Sequence, residues 1–288
     1  MAKIDDKAII VVVFCWCSYK EVFYFTAKQK ISKFRRNIMK KFNYKDVAKK
    51  IGWSFSKVNP SVEYETDYNY YREVTKHIKP TTTILDLGSG SGEKSVRYYS
   101  LAKKVYLTDI EPEMRKRAKA NIEKYYAHDE STRAKFVVKH LDCRGTYPFK
   151  DESVDMVVSR HCGANLKEVY RVLKKGGLFL SEDVAADDCQ ELKEVFDRGQ
   201  EYGDTPLYYD IYKEAIDEGF SKVDLLRFKE IEYYKSIDEL KYLLGMTPIL
   251  GGYDDKVDDI VLEKYLAKYT TSKGIKLVRR LYAFTLVK

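Results

Sequence analysis

Beyond residue 80 the chain alternates between short apolar runs and longer segments in which apolar residues recur at helical spacing. The apolar runs fall at 83–87, 105–109, 136–138, 153–159, 178–183, 223–233 and 277–287, and their length and β-branched or aromatic content predict strands. The periodic segments, 93–101, 111–125, 166–173, 187–200, 211–218, 237–245 and 258–269, predict helices. Strands alternating with helices imply an α/β domain around a largely parallel sheet, because parallel neighbours need a crossover that packs on one face. Ahead of the first strand, 44–51 has helical spacing with Val47 and Ile51 on one face, and 64–78 is expected to be a helix stopped by Lys79-Pro80. Residues 8–19 form a 12-residue apolar run, too short for a membrane span of about 20 residues. Asp5 and Asp6 spoil the basic start of a signal peptide, and no small-residue cleavage site follows. Three readings stay open, in descending order: a strand or packed extension, a non-native or poorly ordered leader, and membrane attachment.

The sharpest local signal joins the first strand to its helix. Ile84-Leu85-Asp86-Leu87 runs into Gly88-Ser89-Gly90-Ser91-Gly92-Glu93, with glycine at every second position. Such a loop lets the backbone turn sharply and keeps side chains out of a ligand's way. A nicotinamide fingerprint would place its third glycine three residues after the second; here Gly92 comes two after Gly90, which disfavours NAD. The second strand ends in Asp109, 17 residues past Gly92, an interval that fits one crossover helix. An acid at that tip can accept hydrogen bonds from both ribose hydroxyls of a nucleotide; its alternative task is to cap the helix at 111–125. The third strand leads to Asp142-Cys143, and the fourth to Ser159-Arg160-His161-Cys162, at the strand ends where open α/β sheets bind ligands.

This series closely resembles the class I S-adenosylmethionine (SAM)-dependent methyltransferases, over about residues 42–288 and most specifically 83–183. The resemblance implies a Rossmann-like, doubly wound, seven-stranded sheet, mostly parallel with an antiparallel last strand, and a helical insertion between strands six and seven. Residues 1–41 would be an extension outside it, 81–185 the cofactor core, and 186–276 a substrate or cap region. It also implies SAM as cofactor and S-adenosylhomocysteine as product. The cofactor would be held by Asp86, Gly88, Ser89, Gly90, Gly92, Asp109, Ile110, Asp142, Cys143 and Ser159, with Asp142 on the adenine amino group. Helices ahead of the first strand often close over the cofactor in this superfamily, which makes Tyr68, Tyr70 and Tyr71 candidate lid residues. Lys175 stands where the family usually has proline, a departure that touches only a turn. The segment 242–248 also resembles ribosomal RNA guanine-N1 methyltransferases, although their cysteine zinc module is absent here.

Composition narrows the partners. The net charge of +8 is concentrated in residues 1–60, which hold 14 basic and 4 acidic residues, so the remainder is −2. A net acidic core lacks the basic surface that neutralises phosphates, so a small-molecule acceptor is expected ahead of RNA, and a non-catalytic SAM-fold scaffold comes third. The five cysteines show no C-x-x-C, and the four histidines lie in separate segments, so no metal site is expected and a reducing cytoplasm fits best. Arg160 and His161 are the candidate substrate contacts; no catalytic group and no oligomeric state are assigned.

Overall fold

The computed structural model describes residues 42–50, 55, 57–200 and 207–288; the leader therefore lies outside the described residues. All seven apolar runs are strands of one sheet, which has nine strands among the described residues. In chain order they are β1 (Ser61–Tyr64), β2 (Thr83–Leu87), β3 (Lys104–Asp109), β4 (Phe136–His140), β5 (Val154–Arg160), β6 (Leu173–Val184), β7 (Lys222–Tyr234), β8 (Thr270–Thr271) and β9 (Gly274–Val287). Across the sheet the order is β1-β7-β9-β6-β5-β2-β3-β4, with β8 paired to β9. Strands β4, β3, β2, β5 and β6 run parallel, and β9 enters antiparallel between β6 and β7.

The central strands are buried on both faces, which is why they read as continuous apolar runs rather than alternating ones. Leu85, Leu87, Val157 and Phe179 face one core with Leu166, Val169, Val172 and Ala215. Ile84, Val105, Met156 and Val158 face the other with Val74, Val96, Ala118 and Ile122. The helices between β2 and β3, β3 and β4, and β5 and β6 are parallel crossovers, and the helix Tyr70–Lys76 ahead of β2 completes the second layer.

Three sequence expectations are corrected. The strand count rises from seven to nine because β1 pairs with the outer edge of β7 and β8 folds back on β9. The helix expected over 64–78 is split: Tyr64 ends β1, and the helix itself covers only Tyr70–Lys76. Asn69 makes the break, its extended backbone placing the side-chain carbonyl to accept from the Arg72 amide at 3.0 Å. Residues 174–177 are a bulge within β6 rather than a turn ahead of it: Leu173 already pairs with Val154, and regular pairing resumes at Met156–Leu178.

The insertion is built on a ribbon. Only the C-terminal half of β9, Leu281–Val287, pairs with β6; its other half continues past the sheet edge paired with β7, from Lys229–Arg280 to Tyr234–Ile275, and β8 borders only its first two residues. The inserted helices Ile237–Met246 and Asp255–Tyr269 pack on this overhang together with Gln190–Phe196. They form a separate core of Leu192, Phe196, Tyr234, Leu240, Leu244, Leu262, Tyr265 and Leu277. Buried ion pairs fasten it, Arg198 to Asp258 at 2.6 Å and Arg279 to Asp188 at 3.0 Å.

Candidate functional site

The glycine loop Gly88–Gly92 rises from the carboxyl end of β2, and its three glycines do three different jobs. All three have left-handed backbone, with φ of 62°, 57° and 66°. A Cβ on Gly92 would lie 2.9 Å from Leu107 Cδ1 and 3.3 Å from Ala118 Cβ, so this glycine lets the loop settle on β3 and the helix after it. A Cβ on Gly88 would collide with Cys162 Sγ at 2.4 Å. A Cβ on Gly90 would meet nothing within 4 Å; its bare face is turned to open space, the property a ligand cradle requires. Ser89 pins the loop from below. Its amide donates to the Thr108 carbonyl at 2.7 Å, and its hydroxyl donates to the Asp86 carbonyl at 3.0 Å while accepting from the Thr108 amide at 2.9 Å.

Two carboxyls flank this loop. Asp86 is buried, and its side chain accepts from the Ser95 hydroxyl. Burial pushes its carboxyl up to about 7, outweighing the hydrogen bonds from Ser95 and Ser89. Asp109 accepts from the Gly90 amide at 3.0 Å through Oδ2 and from the Glu111 amide at 2.8 Å through Oδ1. It thus turns inward and ties the cradle to the tip of β3; it does not cap the helix Pro112–Tyr125, whose N-cap position is Glu111. Its carboxyl is raised too, again by burial first. Neither carboxylate has an ion-pair partner among the described residues. Ile110, next along, is 52% exposed, an apolar face bordering the loop's open side.

The tips of β4 and β5 complete this side. Asp142 is exposed, its Oδ1 accepting from the Arg144 amide at 3.0 Å. Cys143 and Cys162 are half-buried, and their sulfurs stand 3.2 Å apart with Cys162 donating. Ser159 is fully buried and spends its hydroxyl on the Cys162 carbonyl at 2.6 Å, shaping the turn from beneath.

Across the loop, Arg160 donates from Nε to Glu182 at 2.7 Å and lays its guanidinium 5.6 Å from the Tyr71 ring centre. Tyr71 in turn stacks on Tyr98, with ring centres 4.8 Å apart. His161 has left-handed backbone at φ 54°, and its Nδ1 lies 3.6 Å from Asp183. Tyr68 packs against Phe228 of β7. Tyr70 is buried, and its hydroxyl finds no hydrogen-bond partner among the described residues. The carboxyl of Glu230, on β7, is held up by burial and by the carboxylates of Glu182 and Glu232. Arg198 is locked into the cap by Asp258 and the carbonyls of Leu250 and Gly252; residues 201–206 lie outside the described set. Within segment 242–248, Leu243 and Leu244 are buried in the cap core, and Met246 is buried too.

Sequence reasoning passed over two features. Phe42 and Tyr44 line a surface hollow with Glu111, just past the β3 tip, and the Phe42 amide is held by the Gly251 carbonyl at 2.8 Å. The Cys143–Cys162 contact joins two loops whose meeting no local spacing announces. No group of three or more metal-ligating side chains occurs among the described residues, nor any helix long and apolar enough to cross a membrane.

Comparison with known proteins agrees with this layout. Residues 85–181 match the family profile described as a methyltransferase domain. Among solved structures, the YcgJ protein of Bacillus subtilis superposes with a TM-score of 0.51 at 14% identity, over 76% of this chain and 97% of that one. A functionally unknown protein from Deinococcus radiodurans R1 gives 0.50 at 13%, over 79% and 90%. Phosphoethanolamine N-methyltransferase 2 of Haemonchus contortus, solved with phosphomonomethylethanolamine and S-adenosylhomocysteine, gives 0.50 at 17%, over 86% and 61%. At such identities the likeness is one of fold. No curated protein sequence matches the chain.

Proposed function

We propose that this chain, which carries a methyltransferase domain over residues 85–181, binds SAM and transfers its methyl group to a small-molecule acceptor, releasing S-adenosylhomocysteine. The observation that carries the reading is the cradle itself. Gly90 turns a bare face to open space, and Asp109 is tied to that loop through the Gly90 amide with no ion-pair partner among the described residues, while Asp86 lies buried beneath. A carboxyl at this strand tip can accept from the ribose hydroxyls of a nucleoside ligand.

When bound, SAM supplies a methyl group on a sulfonium, a carbon already activated for in-line displacement by an acceptor's lone pair. The chain's task is to position, desolvate and exclude. Gly90 leaves room for the cofactor's backbone approach, and Ser89 fixes the loop height. Asp109 retains lone pairs for the ribose hydroxyls beyond those given to Gly90 and Glu111. Asp142 would hold the adenine amino group, with Ile110 and Cys143 beside the ring. On the far side Arg160, oriented by Glu182 and Tyr71, and His161, held by its left-handed turn, meet the acceptor, while Tyr68 and Tyr71 wall off water.

A small acceptor is favoured over RNA because the chain beyond residue 60 is net acidic and Glu182 already engages the Arg160 guanidinium that would otherwise meet a phosphate. The solved neighbour named as a phosphoethanolamine N-methyltransferase, bound to phosphomonomethylethanolamine, supports an acceptor of metabolite size. Titration calorimetry with SAM and with NAD tests the cofactor; binding of NAD alone would overturn it. Labelled methyl transfer into cell extract, split into RNA, protein and small-molecule fractions, tests the acceptor. Label chiefly in RNA, with activity falling steeply as salt rises, would replace the small-molecule reading; no label in any fraction would favour a scaffold.

A further inference from the structure

Cys143 and Cys162 sit on different loops at the same end of the sheet; both are half-buried, Cys143 at the margin of one core, whereas Cys189 is fully buried against Asp188. Their sulfurs are 3.2 Å apart, while a disulfide holds its sulfurs at about 2.05 Å, so a bond requires a closure of little more than an ångström. The loops that carry them are already tied together, the Asn165 amide donating to the Cys143 carbonyl at 2.9 Å, a carbonyl that the Tyr147 hydroxyl of its own loop also holds at 2.8 Å. We propose that this pair is an oxidation site, converted to an intramolecular disulfide by an oxidant of the peroxide class, and that the bond weakens cofactor binding in the adjoining glycine loop.

The chemistry is assigned by the direction of the thiol contact. Cys162 donates to Cys143, which favours the Cys143 thiolate and lowers its pKa from the ordinary range, Cys162 being the largest cause. Cys143 is therefore the attacking sulfur. Its thiolate takes one peroxide oxygen, breaking the O–O bond; the Cys–S–OH formed is then attacked by the Cys162 sulfur. The S–O bond breaks, the S–S bond forms, and both thiol protons end in the two water molecules released for each peroxide consumed.

The coupling to the loop follows from Gly88. The Cys162 sulfur occupies the volume into which a side chain at position 88 would project, only 2.4 Å from that Cβ position, so it forms part of the cradle's wall. Drawing it toward Cys143 removes that support, and drawing Cys143 inward removes the side chain assigned to the adenine ring. The carbonyl of Cys143 is held from two sides and that of Cys162 by Ser159, so the displacement falls on the side chains and on the loop resting against them.

The effect on affinity rests on the SAM reading; formation of the bond does not. The test uses the full chain, reduced and then treated with hydrogen peroxide. Intact mass should fall by two hydrogens, and a peptide map should join Cys143 to Cys162. Calorimetry with SAM should show affinity weakened at least about tenfold in the oxidised protein and restored by dithiothreitol. Cys162→Ser, or Cys162→Ala should the serine variant fail to give a native circular dichroism spectrum, should lose both the linked peptide and the reversible part of the loss. Oxidation of Cys143 to sulfinic acid without the link would overturn the disulfide. A linked protein that binds SAM as tightly as the reduced one would overturn the gating. Reduced protein that does not bind SAM would overturn the cofactor reading and the gating with it, while the peptide map still decides the bond.

Discussion

Replacing Asp86 with asparagine isolates the cost of burying a carboxylate beneath the glycine loop. In the folded protein this carboxyl is pushed up to about 7 from the ordinary aspartate value of 3.8, chiefly by burial. Below the lower value both folded and unfolded chains hold the proton. Between the two values the unfolded chain has released a proton that the folded one keeps, so stability falls as pH rises, and above about 7 the loss is complete. Three pH units of separation correspond to on the order of 4 kcal/mol, of which about 3 kcal/mol lies between pH 5 and pH 8. The amide of the Asp86→Asn variant cannot ionise, yet its carbonyl can still accept from Ser95. Urea unfolding of both proteins without ligand, at half-unit steps from pH 5 to 8, should therefore show Asp86→Asn gaining about 3 kcal/mol on the parent across the range. Curves that stay parallel would refute the reasoning, because they would mean that Asp86 is solvated or ionised at little cost. The same experiment with SAM present should narrow the gap at pH 8, where a cationic ligand compensates the carboxylate; Asp86→Asn should then bind SAM less tightly than the parent.

Gly88→Ala and Gly90→Ala should separate folding from binding. The first meets Cys162 Sγ at 2.4 Å and should cost about 2 to 4 kcal/mol in thermal or urea unfolding, whereas the second, with nothing within 4 Å, should cost about 1 kcal/mol of left-handed strain. SAM affinity measured by calorimetry should fall in the Gly90 variant by more than its stability does. Asp109→Ala should weaken SAM by roughly 1 to 3 kcal/mol through unpaired polar groups, and it also frees the Gly90 amide, so an unchanged affinity would remove Asp109 from the site. In the cap, Arg198→Ala should cost about 3 to 5 kcal/mol by leaving Asp258 buried without its partner; the Arg198→Ala/Asp258→Ala pair should cost clearly less than the sum of its single changes.

The strands were legible because their pattern is dictated locally. Ile84-Leu85, Val157-Val158 and Phe179-Leu180 are apolar on both faces, and only a doubly covered sheet can use them. The glycine loop was legible for the same reason: three positive φ values at alternate positions leave little choice of residue. What stayed hidden depends on partners far away in the chain. Ser61–Tyr64 is a half-polar edge segment that becomes a strand only through Glu230–Tyr233, and the helical spacing over 64–78 drew Tyr64 into a helix instead. Asn69 was a readable break that the longer periodicity masked. The division of labour among the glycines, and the meeting of Cys143 with Cys162, are facts of contact between loops, and no spacing rule carries them.

The position of β9 has a consequence for how the chain is made. It is the last strand formed, yet it lies inside the sheet, with β6 on one side and β7 on the other. During vectorial synthesis β6 and β7 emerge with facing edges that have no partner until residues 274–287 follow. Those open edges are templates for pairing with another chain, and the long wait for a distant partner slows closure. Deleting the last turn of a terminal helix usually frays an end; losing these residues would instead cut the sheet in two, leaving the five parallel strands on one side and β7 with β1 and the cap on the other.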